Sequence, residues 1–555
     1  MPQSRSRGNL PSSVSDSEIV PDLRPLPQSY APLACDDPTN AVPFDMSILT
    51  ISHRKDHNTL KALIVGGGIA GLAIAAMMDL AGIEYQILEK STGEEPDMGS
   101  VIFLGPPVLR LMEQMELLKD IENMSRKISG VTIVDSESRK IGRVPNVDKE
   151  RYGYAYLVIT RAAFREILLE RIPKGSLHQG KVVVETLQNP NGVSCKCSDG
   201  STYYGDIIVG ADGACSPTRE RMFAQMAEAG KLPDADLESS VYEYFGIAGI
   251  SQPLDSTLYP NVADEKSEFL IVCAKDQPCS FWYYPILGNR IAWGINGQLP
   301  IPKHRQNIYS HSNASGSTAR RDPSTKRPHL RHSSSFSSST SSPPPTVQTQ
   351  KIHDDWWETA PDFEEEFQEL LDMRCAVGPG SVRDFLRYTS REKISRLDLK
   401  ERLYKTWHYG RIVLVGDACH QHLVLTGQGT SQALLDGVCL VNLLYDMEHN
   451  SPHEINKAFK KYQARRMANV KSSMEDTGTI EKIFHSTGFL AGVVRKIVFS
   501  AVWTFNAVND KTNNNRPQLS FLPFVEDHAP CKAFKQKVSE RLLRSQQQQQ
   551  QLATD

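Results

Sequence analysis

A short apolar strand in this chain runs straight into three spaced glycines, and few folds accept that combination. Ala62–Leu63–Ile64–Val65 is the kind of β-branched run that parallel sheets bury on both faces. Gly66, Gly68 and Gly71 follow at once. In a dinucleotide-binding turn the first glycine permits the tight turn and the second lets a pyrophosphate approach the backbone. The third lets the helix pack close to the strand. The pattern predicts a helix from about Ile69 to Leu80, stopped by Gly82, with its N-terminal N–H groups facing phosphates. Tyr85–Leu88 reads as the next strand. Glu89, eighteen residues after Gly71, stands where an acid accepts hydrogen bonds from ribose hydroxyls. An empty strand–helix turn would need the glycines but neither the second strand nor the acid, so a bound dinucleotide is the better reading. Nothing in this stretch chooses between FAD and NAD.

Two later stretches make the choice. Tyr203–Val209 reads as a strand ending in Gly210–Ala211–Asp212–Gly213, with Ser216 and Arg219 after it. Arg411–Val415 reads as another buried strand, ending in Gly416–Asp417–Ala418. His420 follows, then Gly427–Gln428–Gly429 and an Ala/Leu-rich helical stretch from about Thr430 to Tyr445. Each stretch alone is a weak signal. In this order, more than 300 residues from first to last, they resemble the FAD cradle of the class A flavoprotein monooxygenases, the para-hydroxybenzoate-hydroxylase-like aromatic-ring hydroxylases. The resemblance covers roughly residues 60–300 and 351–480.

That resemblance implies a role for each matched residue. Gly66, Gly68, Gly71 and Glu89 would form the nucleotide turn. Asp212 and Gly213 would lie near the pyrophosphate, where the family's aspartate is also implicated in use of the nicotinamide donor. Gly416 and Asp417 would hold the ribityl chain, and Gly427 and Gly429 would let the backbone pass the isoalloxazine edge. The helix starting near Thr430 would aim its dipole at the N1–C2=O region, favouring anionic reduced flavin. Arg161, in Leu157–Val158–Ile159–Thr160–Arg161, matches an arginine that contacts FAD in the family; the plainer reading is a surface arginine at a helix start. Two departures stand out. Val424 occupies the place of the family's usual proline, which bears on pocket geometry, and Lys90 rather than arginine follows Glu89.

Absences narrow the class. The chain has one glycine fingerprint, whereas flavin enzymes that dock NADPH on its own Rossmann domain carry two. It has no cysteine between Cys35 and Cys195, against a disulfide reductase, and no Trp-x-Trp-x-Ile-Pro run, against a halogenase. The ten cysteines are scattered, and Cys419–His420–Gln421–His422 is explained by the flavin loop better than by a metal. A net charge of −3 gives no case for nucleic acid.

The expected fold is α/β, a Rossmann-like FAD-binding domain interleaved with a β-sheet substrate domain. Residues 1–58 and 541–555 read as a disordered start and a low-complexity tail. FAD-domain parts fall at 59–235 and 401–480, and substrate-domain parts at 236–302 and 351–400. A Ser/Pro-rich disordered insertion occupies 303–350, and a helical C-terminal region 481–540. Ser280–Pro285 and Arg290–Ile295 read as strands joined at Leu287–Gly288–Asn289; their aromatic residues suit sheet core more than pocket lining. The 488–508 stretch is apolar but carries Arg495 and Lys496, which suits a packed helix, with peripheral membrane contact as the alternative. With no secretory signal at the start, a cytoplasmic, soluble or membrane-associated, enzyme is expected.

By resemblance, NAD(P)H would reduce the FAD and O2 would add to form a C4a-hydroperoxide. That species would hydroxylate or epoxidise an apolar or aromatic small organic substrate. No catalytic base can be named from the sequence. A reductase or dehydrogenase of a hydrophobic substrate on the same fold stays open, as does an inactive flavin-binding interaction protein.

Overall fold

The computed structural model describes residues 60–93, 100–145, 148–238, 242–264, 267–275, 277–299, 368–372, 381–390, 393–424, 427–500, 510, 512–527 and 529–554. The expectations for 1–58 and 303–350 lie outside these residues, as does 501–508 of the apolar C-terminal stretch.

Strand Lys61–Val65 sits inside a six-stranded sheet. In spatial order the strands are His408–Tyr409, Ile412–Leu414, Ile207–Gly210, Lys61–Val65, Glu84–Leu88 and Leu177–His178. Every pair is parallel except His408–Tyr409 with Ile412–Leu414. Ala62, Leu63 and Ile64 are wholly buried, as a strand covered on both faces requires. Helix Ile69–Leu80 covers one face and packs on helix Gln428–Tyr445, where Gly437 lets Ile74 and Met77 come close.

A seven-stranded sheet forms the second layer system. Its order is Ile394–Leu399, Tyr244–Ile250, Arg290–Gln298, Cys279–Ile286, Phe269–Cys273, Gly130–Asp135 and Lys140–Pro145. Only Phe269–Cys273 with Gly130–Asp135 is parallel. Strand Cys279–Ile286 is buried along its whole length. Its alternation sends Phe281 and Tyr283 into one apolar cluster and Trp282 and Tyr284 into another. The second cluster includes Phe269, stacked on Trp282 and edge-on to Phe103. The hairpin turns through Gly288 and Asn289, both at positive φ.

The C-terminal region departs from the helical expectation for 481–540. Helix Phe489–Ser500 is present, but the described residues of 514–539 form an irregular strap. Polar side chains hold it down: Arg516 donates to Asp527 at 2.8 Å, Arg110 to the Val525 carbonyl at 2.6 Å, and Asn442 to the Gln518 carbonyl at 2.9 Å. Such side chain-to-backbone anchoring needs no repeating apolar pattern, so periodicity gave no sign of it. Glu540–Thr554, read as low-complexity tail, is a helix. No described helix is long and apolar enough to cross a membrane.

Candidate functional site

The three glycine-bearing motifs end three adjacent parallel strands at the same level. Val65 pairs with Gly210, and Gly210 with Leu414, so Gly66, Ala211 and Gly416 all leave the sheet at its carboxyl edge. Leu88 pairs with Val65 on the other side and brings Glu89 to that edge too. The carboxyl edge of an open parallel sheet is where such folds bind ligands, because helix N-termini converge there.

The glycines of the first turn play different parts. Gly66 has φ +107°, and a Cβ on it would lie 2.4 Å from the Ala211 carbonyl oxygen. A Cβ on Gly71 would lie 2.0 Å from the Gly66 carbonyl oxygen. Both are therefore demanded by the fold itself. Gly68 is not: its φ is −74°, and a Cβ there would meet only Arg161 Nη2, at 3.9 Å. Gly68 also caps helix Ile69–Leu80 without a side-chain acceptor, and the first turn contains no acid. The N-terminal N–H groups are thus left for an anion.

Glu89 is buried and already oriented. One carboxylate oxygen accepts from the Gly67 N–H at 2.5 Å and the other from the Ser91 N–H at 2.8 Å. Each oxygen keeps a further lone pair for a hydroxyl donor. Arg161 starts helix Arg161–Leu169, capped by Thr160. It lies beside Gly68 and close enough to Asp417 to act on its charge. The structure therefore brings Gly68, Arg161 and Asp417 together from three distant parts of the chain.

Asp212 turns inward. One of its oxygens accepts from the Ser216 hydroxyl and the other from the Thr218 N–H at 2.9 Å, so it braces the start of helix Pro217–Glu228. It remains next to the nucleotide turn, since a Cβ on Gly66 would lie 3.0 Å from Asp212 Cα. Gly213 has φ +80° with open space around its Cα. Arg219 then ties two motifs together, donating to the Ala418 carbonyl at 3.0 Å and the Ala214 carbonyl at 3.0 Å.

Asp417 is accessible from the cleft but crowded by protein on its other sides. Burial raises its pKa, against the pull of His420 and Arg161. Helix Gln428–Tyr445 opens at Gly427, which has φ +63° and lies against Phe103, and no side chain caps it. A Cβ on Gly429 would meet only His422 Cβ at 3.8 Å and Asp417 Oδ1 at 4.0 Å. Thr430, expected to open this helix, lies in its first turn.

Behind this loop stands a buried charge cluster that sequence reasoning missed. Asp436 Oδ2 lies 2.6 Å from His420 Nε2 and accepts from the Gly416 N–H at 2.9 Å; Oδ1 accepts from Arg466 Nε at 2.7 Å. Burial would raise the Asp436 pKa, yet His420 and Arg466 hold it down at about 2. The only hint in the sequence was an aspartate inside an Ala/Leu-rich helix. Cys419, His420 and Asp436 are close enough to share an ion. However, the Arg466 guanidinium already supplies the positive charge there, so we assign no metal to them.

Taken as a donor set, the cleft suits FAD: an uncapped helix end for the pyrophosphate, an oriented carboxylate for ribose, and an aspartate and a second uncapped helix beyond. Comparison with known proteins agrees. The FAD binding domain family matches residues 59–333 and 345–477. The FAD-dependent monooxygenase atmM of Aspergillus flavus is 25% identical over 86% of this chain and 89% of its own length. The FAD-dependent monooxygenase penE of Penicillium thymicola is 26% identical over 80% of this chain and 83% of its own. Among solved structures, Klebsiella pneumoniae HpxO complexed with FAD and uric acid superposes with a TM-score of 0.60 at 17% identity, covering 82% of this chain and 97% of that one. A salicylate hydroxylase substrate complex gives 0.56 at 17% identity over 81% and 96%.

Proposed function

The chain belongs to the FAD binding domain family and is an FAD-dependent monooxygenase of the class A type, and on that premise we propose that it oxygenates a small, largely apolar organic substrate with O2 and electrons from NAD(P)H. The observation that carries the reading is the shared carboxyl edge, where Gly68, Glu89, Arg161, Asp212 and Asp417 meet. Bound FAD would supply oxygen activation. The chain's own groups would bind and orient it: the Ile69–Leu80 helix end and Arg161 on the pyrophosphate, Glu89 on ribose, Asp417 on the ribityl chain. Gly427, Gly429 and Thr430 open the helix that would face the flavin's pyrimidine edge.

The face of the seven-stranded sheet that meets the Gly427 turn supports an apolar substrate. Phe103 touches both the Gly427 turn and Phe269, and Phe269 stacks on Trp282. These rings would exclude water from the reacting centre. The two solved neighbours are named for different small molecules, uric acid and salicylate, so the substrate is identified by experiment. A panel of aromatic and other apolar organic compounds should contain at least one that accelerates NAD(P)H oxidation by the holoenzyme. Equal rates with and without every compound, with no oxygenated product, would count against the reading.

Membrane contact is supported by one feature. Helix Phe489–Ser500 turns Leu490, Val493, Val494 and Ile497 outward, at helical spacing, with Lys496 beside them. We propose a cytoplasmic protein that rests this face on a bilayer. Co-sedimentation with anionic vesicles that survives Leu490→Asp/Ile497→Asp would exclude that face.

A further inference from the structure

The C-terminal strap lies beyond residue 477, the last that the FAD binding domain family matches, yet it reaches the candidate flavin site. Its first anchor is Asn513, which is wholly buried. Asn513 Nδ2 donates to Asp148 Oδ1 at 3.0 Å, and Oδ1 accepts from the Tyr156 hydroxyl at 3.4 Å. The Asn513 carbonyl accepts from Arg516 Nη1 at 2.7 Å. Arg516 also donates to Asp527 at 2.8 Å and to the Cys531 carbonyl at 2.6 Å, which closes the strap on itself.

Tyr156 is where that anchor meets the site. Its ring tip fills the space over Gly105, where a Cβ would lie 2.4 Å from Tyr156 Cζ, and Gly105 caps helix Pro106–Gln114. The Gln428 side chain, at the start of helix Gln428–Tyr445, lies close enough to act on the Tyr156 hydroxyl. Phe103, two residues before Gly105, lies against Gly427, one residue before Gln428. The turn that opens one helix therefore packs on the turn that opens the other. Burial raises the Tyr156 pKa, so the group is a neutral hydroxyl that can donate to Asn513 while its lone pairs face Gln428.

The strap also holds the far ends of the same two helices. Gln114, the last residue of Pro106–Gln114, donates to the Leu519 carbonyl at 3.0 Å and accepts from the Leu519 N–H at 2.7 Å. Asn442, in the last turn of Gln428–Tyr445, donates to the Gln518 carbonyl at 2.9 Å and accepts from the Ser520 N–H at 2.8 Å. Tyr445 stacks on Phe521, with ring centroids 4.4 Å apart. Each helix is thus pinned at its C-terminal end directly and at its N-terminal end through Tyr156.

We propose that the strap is a clasp on the cofactor site, in which Asn513 and Tyr156 are positioning residues that fix the Gln428 end of the helix facing the flavin. This rests on the FAD reading above and adds to it a segment outside the family's match. Strap docking and FAD binding are then one coupled equilibrium, and FAD must tighten the strap by the same factor as the docked strap tightens FAD.

Hydrogen exchange on the full wild-type chain reads that coupling without any substitution. The Leu519 and Ser520 amides should exchange about tenfold more slowly with FAD bound, and those of strand Val183–Asn189, which takes no part in the site, should change less. Tyr156→Phe keeps the ring over Gly105 and removes the hydroxyl, whereas Asn513→Ala breaks the same link from the strap's side. Each should raise the FAD dissociation constant about tenfold and abolish the effect of FAD on strap exchange. The double variant should bind no worse than the weaker single one, because one link is broken in all three. Ligand-free Tyr156→Phe should melt close to wild type. Strap exchange that is the same with and without FAD would overturn the proposal, as would wild-type FAD affinity in both variants. Weakened binding in Asn513→Ala alone, together with a lower melting point, would make the strap plain structural support and overturn it too. A wild-type protein that binds no FAD would instead defeat the underlying reading.

Discussion

Gly68→Ala separates what the ligand demands from what the fold demands. At φ −74° the backbone accepts any L residue, and the new methyl would meet only the tip of Arg161, 3.9 Å away. The ligand-free protein should therefore lose no more stability than the roughly 1 kcal/mol that separates glycine from alanine at an N-cap. The methyl would instead occupy the approach path of the pyrophosphate. Losing one charge-assisted backbone hydrogen bond costs about 1.5–3 kcal/mol, which weakens FAD by roughly 10- to 150-fold. Gly68→Val should abolish binding. Gly71→Ala is the contrasting control, because its Cβ would lie 2.0 Å from the Gly66 carbonyl oxygen and should damage the fold before any ligand is added. Fluorescence titration of FAD and a thermal melt of the ligand-free proteins read both effects. FAD binding by Gly68→Ala equal to wild type would refute the placement of the pyrophosphate. A melting point as low as that of Gly71→Ala would refute the claim that Gly68 serves the ligand.

Three further outcomes are expected. Asp417→Ala should weaken FAD by about 1.5–3 kcal/mol in the same titration while the ligand-free melt stays unchanged. Asp436→Asn should cost about 3 kcal/mol of stability, seen as an earlier urea midpoint, because Arg466 is left buried without its charge partner. The third concerns acid. His422, held at about 3 by burial, is neutral in the fold but protonates near 6.5 when unfolded, so its contribution is present above pH 6.5 and lost as pH falls. Ligand-free His422→Leu should gain on wild type by about 1.4 kcal/mol per pH unit between roughly pH 6 and 4. The difference between the two proteins is the quantity to follow, because Asp148, pushed up to about 6 by burial, titrates in the opposite direction. Parallel pH profiles would contradict the assignment.

The parts of the site legible in the sequence are those where backbone geometry alone dictates the residue. Gly66 and Gly71 could be read because no side chain fits against the Ala211 and Gly66 carbonyls, and helix Ile69–Leu80 because its ends are set by local signals. Strand Cys279–Ile286 was legible from its aromatic, β-forming residues, though not which of its rings join which apolar cluster. What could not be read depends on long-range partners. The sequence offers Asp436 and Arg466 as ordinary polar residues on two helices; only packing makes them one buried pair. Asp212 matched the motif, yet its carboxylate is spent on Ser216 and Thr218, an allocation that spacing does not reveal. The strap over 514–539 escaped for a similar reason, since its order comes from anchors such as Arg110 and Asn442, far away in the chain.

Oxygen-18 labelling tests the central claim most directly. The holoenzyme is turned over with NAD(P)H, labelled O2 and a compound that accelerates NAD(P)H oxidation, and the product is weighed by mass spectrometry. An FAD-dependent monooxygenase places one labelled oxygen atom in the product and the other in water. A product carrying oxygen from unlabelled water, or one changed only by gain or loss of hydrogen, would contradict the account and make the protein a flavin dehydrogenase or reductase instead.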